Sequence, residues 1–87
     1  MEISLTDKAL KQLQAIAKGS KQDAQKILKK IEAYAENPCG SHNVKTLKGN
    51  LGDRLRLKVG DYRVIFKHEG NILTVSIIKH RKDVYND

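Results

Sequence analysis

Arg54-Leu55-Arg56-Leu57-Lys58-Val59-Gly60-Asp61-Tyr62-Arg63-Val64-Ile65-Phe66-Lys67 alternates along its length and breaks once. Leu55, Leu57 and Val59 take every second place before the break, and Tyr62, Val64 and Phe66 do so after it. A period of two is that of a strand with one buried face. Gly60-Asp61 is the composition of a two-residue hairpin turn. With those two residues as the whole loop, Val59 lies opposite Tyr62, Leu57 opposite Val64 and Leu55 opposite Phe66. A slip of one residue would turn the arginines inward, so the register is strongly specified.

The alternation continues downstream. Glu69-Gly70-Asn71 marks a second turn, after which Leu73, Val75 and Ile77 alternate with Ile72, Thr74, Ser76 and Ile78. This hairpin is expected to set Phe66 beside Leu73, Val64 beside Val75 and Tyr62 beside Ile77, completing a three-stranded antiparallel meander. Upstream, the connector from Cys39 to Lys48 is polar, and before it the period becomes helical. Ala9, Leu10, Leu13, Ile16 and Ala17 recur at spacings of three and four, with Thr6 or Asp7 to cap the start and Gly19 to end the helix at a position tolerant of left-handed geometry. Ser20 with Asp23 resembles a capping box. The second helix runs to about Asn37 and buries Ala24, Ile27, Leu28, Ile31, Tyr34 and Ala35. Pro38 and Gly40 close it. Its face of Lys21, Gln25, Lys29, Lys30 and Glu32 reads as ordinary solvated surface. The expected fold is α+β: an N-terminal helical hairpin on one face of a small antiparallel sheet, which Glu2–Leu5 would widen as a short first strand.

Composition narrows the function. The chain has 87 residues and 39% hydrophobic side chains, enough for a single domain, 1–87. It has no apolar run of membrane-spanning length and no signal-like N-terminus, and its one cysteine, Cys39, suits a reducing cytoplasm. Cys39 and the separated His42, His68 and His80 offer no metal-ligand spacing, and His42 and His68 are given no role. The formal net charge is +7. Residues 1–43 hold seven basic and five acidic side chains, whereas residues 44–87 hold ten and five. An excess of this kind points to a polyanion or an acidic partner, met by the second half.

The hairpin register locates that excess. With the apolar positions inward, Lys58 lies opposite Arg63, Arg56 opposite Ile65 and Arg54 opposite Lys67, all on the outer face. Thr74 and Ser76 are expected across from Ile65 and Arg63. Like charges facing each other cost stability. Lysines and arginines that keep an edge hairpin soluble would explain scattered cations. They fit poorly with three arginines converging on one face, and the face reads instead as an anion site. Lys79-His80-Arg81-Lys82-Asp83-Val84-Tyr85 leaves the last strand beside it, adding cations, an imidazole and a phenol. Tyr85 fits either a role at the site or a terminal anchor. No carboxylate pair supports glycosidase chemistry, no Gly-rich phosphate loop occurs, and no Ser or Cys has a triad. Plain polyanion binding remains, as does metal-free phosphodiester cleavage in which the RNA 2′-hydroxyl is the nucleophile.

Gly60-Asp61-Tyr62-Arg63-Val64-Ile65-Phe66, preceded by Arg54-Leu55-Arg56-Leu57 and Leu47-Lys48-Gly49 and followed by His80-Arg81-Lys82-Asp83-Val84-Tyr85, resembles the RelE branch of the RelE/ParE toxin superfamily. The resemblance covers essentially the whole chain. It implies the toxin of a prokaryotic type II toxin–antitoxin system: a cytoplasmic, ribosome-dependent endoribonuclease that cuts messenger RNA without metal or cofactor and so inhibits translation. The implied partners are a cognate antitoxin, the ribosome and messenger RNA, with no membrane. Under it, Arg63 matches the arginine that stabilises the scissile phosphate. Arg54 and Arg56 match positions held by lysine in the best-known members, Lys79 an arginine near the leaving group, Tyr85 a tyrosine of base chemistry or stacking, and Arg81 a further basic position. Arg56 cannot readily lose a proton, which makes it a poor general base. His80 and Tyr85 are then the proton-transfer candidates, and Arg54, Lys58, Lys67, Arg81 and Lys48 the RNA-binding set, with Arg56 touching phosphate as well. A ParE-like inhibitor of DNA gyrase shares this fold, as would a decayed toxin that keeps only antitoxin binding. Ile65, Ile72 and Ile78 are expected on the basic face, unless Ile78 turns inward at the strand's end. A partner with carboxylates beside apolar side chains would suit them.

Overall fold

The computed structural model describes residues 1–47 and 54–82. The expectations for Lys48, Gly49, Asp83, Val84 and Tyr85 therefore lie outside the described residues. The order is β1 (Glu2–Leu5), α1 (Asp7–Gly19), α2 (Lys21–Glu36), β2 (Val44–Leu47), β3 (Arg54–Val59), β4 (Tyr62–Glu69) and β5 (Ile72–His80). The strands form one five-stranded sheet in the order β1-β5-β4-β3-β2. β1 runs parallel to β5, and the other neighbours are antiparallel, so the sheet is mixed. The expected α+β class holds, with both helices on one face. β2 lies in the segment expected to be a polar connector. Its Val44-Lys45-Thr46-Leu47 is too short and polar to show a period, and pairing with β3 makes it a strand.

Thr6 caps α1: its Oγ1 accepts from the Ala9 N–H at 3.2 Å. Gly19 ends α1 as its last helical residue, without entering the left-handed region. The turn between the helices is made by Ser20, whose φ of −155° is extended. Its N–H bonds the Ile16 carbonyl to close α1, and its Oγ accepts from the Asp23 N–H to open α2. One residue therefore ends one helix and starts the next. α2 buries the expected face, with Leu28 partly covered, whereas Leu10 (42% exposed) and Ala17 of α1 face solvent. A 13-residue helix beside a narrow sheet needs only Ala9, Leu13 and Ile16 inside.

The core between the layers holds Ile27, Ile31, Leu57, Val64, Phe66, Leu73 and Val75, all nearly inaccessible. Tyr34 packs edge-on against Phe66 with ring centroids 5.0 Å apart, and His42 and His68 pack edge-on against Tyr34. Those two histidines thus serve packing, and burial, with the Cys39 charge adding, pushes the Tyr34 phenol up.

The first hairpin has the expected register, Val59 opposite Tyr62, Leu57 opposite Val64 and Leu55 opposite Phe66. Gly60, at a φ of 56°, supplies the left-handed residue that its turn requires. The second hairpin differs. Its loop is Gly70-Asn71, with Glu69 opposite Ile72, which moves the register two places and sets Phe66 opposite Val75. A β-bulge at Ser76 then adds one more, so Ile65 faces Ile77, Val64 faces Ile78 and Tyr62 faces His80. Ile78 turns inward at 3% exposure, and Ile77 takes the outer position.

The bulge frees backbone groups, and side chains take them up. Ser76 Oγ donates to the Ile65 carbonyl at 3.1 Å, and Thr6 Oγ1 donates to the Ser76 carbonyl at 3.0 Å. Gln12 Oε1 accepts from the Ile78 N–H at 2.8 Å. β1 ends opposite Val75, so beyond that point the edge of β5 meets the start of α1 instead of a strand. The bulge is therefore built into the fold.

Candidate functional site

The face of the sheet away from the helices takes its side chains from alternate positions. One row crosses three strands as Lys58, Arg63 and Lys79, with Arg63 opposite both lysines. A second row runs Lys45, Arg56, Ile65, Ile77 across four strands. Arg54 faces Leu47, and Lys67 faces Thr74. The recorded β3–β4 ladder ends at Leu55–Phe66, so the expected Arg54–Lys67 pair lies one position beyond it.

Two expectations about this face are corrected by the two-place register shift and the bulge together. The residue across from Arg63 is Lys79 and not Ser76, and the residue across from Ile65 is Ile77 and not Thr74. Without the extra residue, Lys79 would have stood opposite a core position. The bulge thus brings a third cation into the Arg63 row. Lys45, from the strand that sequence periodicity did not reveal, adds a further cation opposite Arg56.

Like charges directly opposite each other run against cross-strand preference. Among the described residues, the acids on the strands of this face, Glu2 and Glu69, both pair with Ile72 at the far end of β5. The face is therefore polarised: cations cluster toward the Gly60-Asp61 turn, and an exposed Ile72 (45%) sits between carboxylates at the other end. Ile65, at the centre, is only 9% exposed yet stands outside the main core cluster. Beside it, the buried Arg56 Nε has no hydrogen-bond partner among the described residues. A buried donor of that kind is matched by an acceptor oxygen when a ligand brings one.

The chain leaves β5 against the first turn. The Arg81 N–H donates to the Asp61 carbonyl at 2.7 Å, and Arg81 Nε lies 3.7 Å from Asp61 Oδ1, an exposed contact that contributes little by itself. Arg81 thereby lines a cavity of about 140 Å³ with Lys58, Arg63 and the turn residues. The structure brings together Arg56, Lys58, Arg63, Lys79 and Arg81, with Arg54 and Lys67 further along the same face.

His80 is placed differently. It stands opposite Tyr62, a core-side residue, and the two rings meet edge-on at 4.9 Å. Tyr62 in turn reaches Asp23 at the start of α2, OH to Oδ2 3.4 Å. Asp23, Lys26, Tyr62 and His80 line a separate cavity of about 210 Å³ on the helix side. The imidazole is thus on the opposite side of the sheet from Arg63 and Lys79.

Solved structures of other proteins share this architecture. The YoeB dimer from Staphylococcus aureus superposes with a TM-score of 0.78 at 17% identity, covering 92% of this chain and 95% of that one. The heterotetrameric YoeB–YefM toxin–antitoxin complex from the same organism gives 0.77 at 17%, with the same coverage of 92% and 95%. The archaeal RelE–RelB complex from Pyrococcus horikoshii gives 0.75 at 22% identity, covering 95% and 97%. At these identities the likeness is one of fold. No helix is long and apolar enough to cross a membrane among the described residues. Comparison with curated protein sequences finds no significant match. Residues 3–85 match the family model of the ParE toxin of type II toxin–antitoxin systems, parDE, and the chain belongs to that family within the RelE/ParE toxin superfamily.

Proposed function

We propose that this toxin cuts messenger RNA on the ribosome, in the cytoplasm, with the RNA 2′-hydroxyl as nucleophile. The observation that carries the reading is the row of Lys58, Arg63 and Lys79, which sets three cations at neighbouring positions on one face of the sheet. Attack by the 2′-oxygen forms a 2′-O–P bond and breaks the P–O5′ bond. The 2′ proton is lost to a base, the 5′-oxygen gains one, and the products are a 2′,3′-cyclic phosphate and a 5′-hydroxyl. Negative charge grows on the phosphoryl oxygens along the way. Donors already in place stabilise that charge with no reorganisation at the moment of reaction.

In this reading Arg63 clamps the scissile phosphate through its planar fork, and Lys79 steadies the departing 5′-oxygen. Arg54, Arg56, Lys58, Lys67 and Arg81, with Lys48, hold neighbouring phosphates. Arg56 binds and does not abstract, because a guanidinium keeps its proton. Tyr85 carries the proton-transfer or base-stacking role.

The partner that silences the face is an antitoxin segment, disordered alone and folded on the toxin. The YoeB–YefM and RelE–RelB complexes support that kind of partner. Leu47, Ile65 and Ile77 lie between the cations, so a segment carrying carboxylates beside apolar side chains would relieve repulsion and cover them together. A second reading, inhibition of DNA gyrase by binding, is favoured by the parDE description of the matching family. Fold does not separate the two. Adding the chain to a translating extract and to a gyrase supercoiling reaction does. The proposal expects cut messenger RNA with 2′,3′-cyclic phosphate ends and unaffected supercoiling; intact RNA with blocked supercoiling selects the second reading.

A further inference from the structure

His80 ends β5, and two backbone bonds fix the residues that follow it. The Arg81 N–H is held by the Asp61 carbonyl, and the Lys82 N–H donates to His80 Nδ1 at 3.0 Å. The second bond decides the state of the ring. An Nδ1 that accepts has its lone pair engaged, and the neutral imidazole then carries its proton on Nε2. In that form neither nitrogen offers a lone pair to a substrate proton. The ring also lies on the helix side, edge-on to Tyr62 and in a cavity with Asp23 and Lys26. The scissile phosphate of the proposed reaction sits over Arg63, on the other face. Between His80 and Lys82 stands Arg81, which lines the smaller cavity with Arg63 and Lys58.

We propose that His80 is a positioning residue: its Nδ1 holds the Lys82 amide, and this keeps Arg81 in the cavity beside Arg63 and Lys58. The catalytic consequence rests on the ribonuclease reading above, whereas the anchoring itself does not. Tyr62 supports the ring from one side, and the Asp61 carbonyl fixes the chain from the other. Arg81 is clamped between two hydrogen bonds that do not involve its own side chain. Together with the Asp61 carboxylate, 3.7 Å from Arg81 Nε, they hold an exposed arginine at a strand's end beside the cation cluster.

Asn and Leu separate this role from proton transfer. They have the same branched shape, and both lose the edge contact with Tyr62. Only Asn places an acceptor, Oδ1, where Nδ1 stands, and neither can move a proton at neutral pH. The experiment compares the full chain with His80→Asn and His80→Leu, by amide exchange at Lys82 and by cutting of messenger RNA in a translating extract. In His80→Asn the Lys82 amide should exchange as in the parent, with cutting kept within about 3-fold and the same dependence on pH between about 6 and 8. In His80→Leu the amide should exchange about 3- to 10-fold faster, the loss of one net hydrogen bond, with cutting reduced by a similar factor. Equal Lys82 exchange in all three proteins overturns the anchor. A protected Lys82 amide in His80→Asn with cutting as poor as in His80→Leu overturns the positioning role in favour of proton transfer. If the parent cuts no RNA at all, the ribonuclease reading fails alone, and Lys82 exchange still supports or overturns the anchor.

Discussion

Truncating Ile78 and truncating Ile77 should have very different consequences, and the contrast tests the bulge on which the basic face depends. Simple alternation from Leu73 and Val75 puts Ile77 inward and Ile78 outward. The bulge at Ser76 reverses them, leaving Ile78 3% exposed among core residues and Ile77 opposite Ile65 on the outer face. Ile78→Ala removes three carbons, each worth about 0.8 kcal/mol of burial, so about 2.4 kcal/mol before any cavity is counted. Rigid surroundings raise such losses into the range of about 2–5 kcal/mol. In a domain of this size about 1 kcal/mol lowers Tm by roughly 4–8 °C, which puts the drop at roughly 10–20 °C or more. Ile77→Ala leaves a half-buried position whose neighbours include long, adaptable side chains, and should cost about 1 kcal/mol or less. Urea unfolding of the two variants measures both, with an unchanged m-value as the sign that the same transition is followed. An Ile77→Ala loss equal to or larger than that of Ile78→Ala would refute the bulge and with it the pairing of Arg63 with Lys79.

Other consequences follow from single residues. Ser20→Ala removes the hydroxyl that caps α2 and should cost about 1 kcal/mol in the same urea experiment. Lys45→Thr relieves the like-charged pair with Arg56 and should raise stability by about 0.2–1 kcal/mol while weakening RNA binding, so stability and binding should move in opposite directions. Antitoxin association, followed by stopped flow across a salt series, should slow as salt rises and in Arg54→Glu and Lys67→Glu, while dissociation responds more to the apolar positions. Association that ignores both salt and charge reversal would place the antitoxin on the helix side instead.

The parts of the fold that were legible in the sequence are those fixed by local rules. Gly60-Asp61 leaves one loop length and one turn, so the β3–β4 register followed from residues within a few positions of each other. The α2 stripe and the Ser20 cap were legible for the same reason. What could not be read depends on distant groups. The Ser76 bulge is held by Thr6, 70 residues earlier in the chain, and by Gln12, and no periodicity in β5 announces them. β2 exists because β3 offers it an edge, and its polarity is what an exposed edge strand tolerates. The candidate site divides along the same line. Arg54, Arg56, Lys58 and Arg63 share a face by alternation alone, which the hairpin register already required. Lys79 joins them, and His80 is sent to the other side, only because one extra residue shifts the phase of the last strand.

The account turns on Arg63, flanked by a lysine on each neighbouring strand. Removing a prearranged donor to developing charge costs on the order of 100- to 1000-fold in rate. The most direct measurement is the rate at which the parent chain and Arg63→Ala cut a messenger RNA in a translating extract, with the fold of the variant checked by its urea midpoint. The account predicts cuts bearing 2′,3′-cyclic phosphate ends for the parent and a loss on the order of 100- to 1000-fold for a variant that unfolds no more readily. Cutting by folded Arg63→Ala at the parental rate would contradict it.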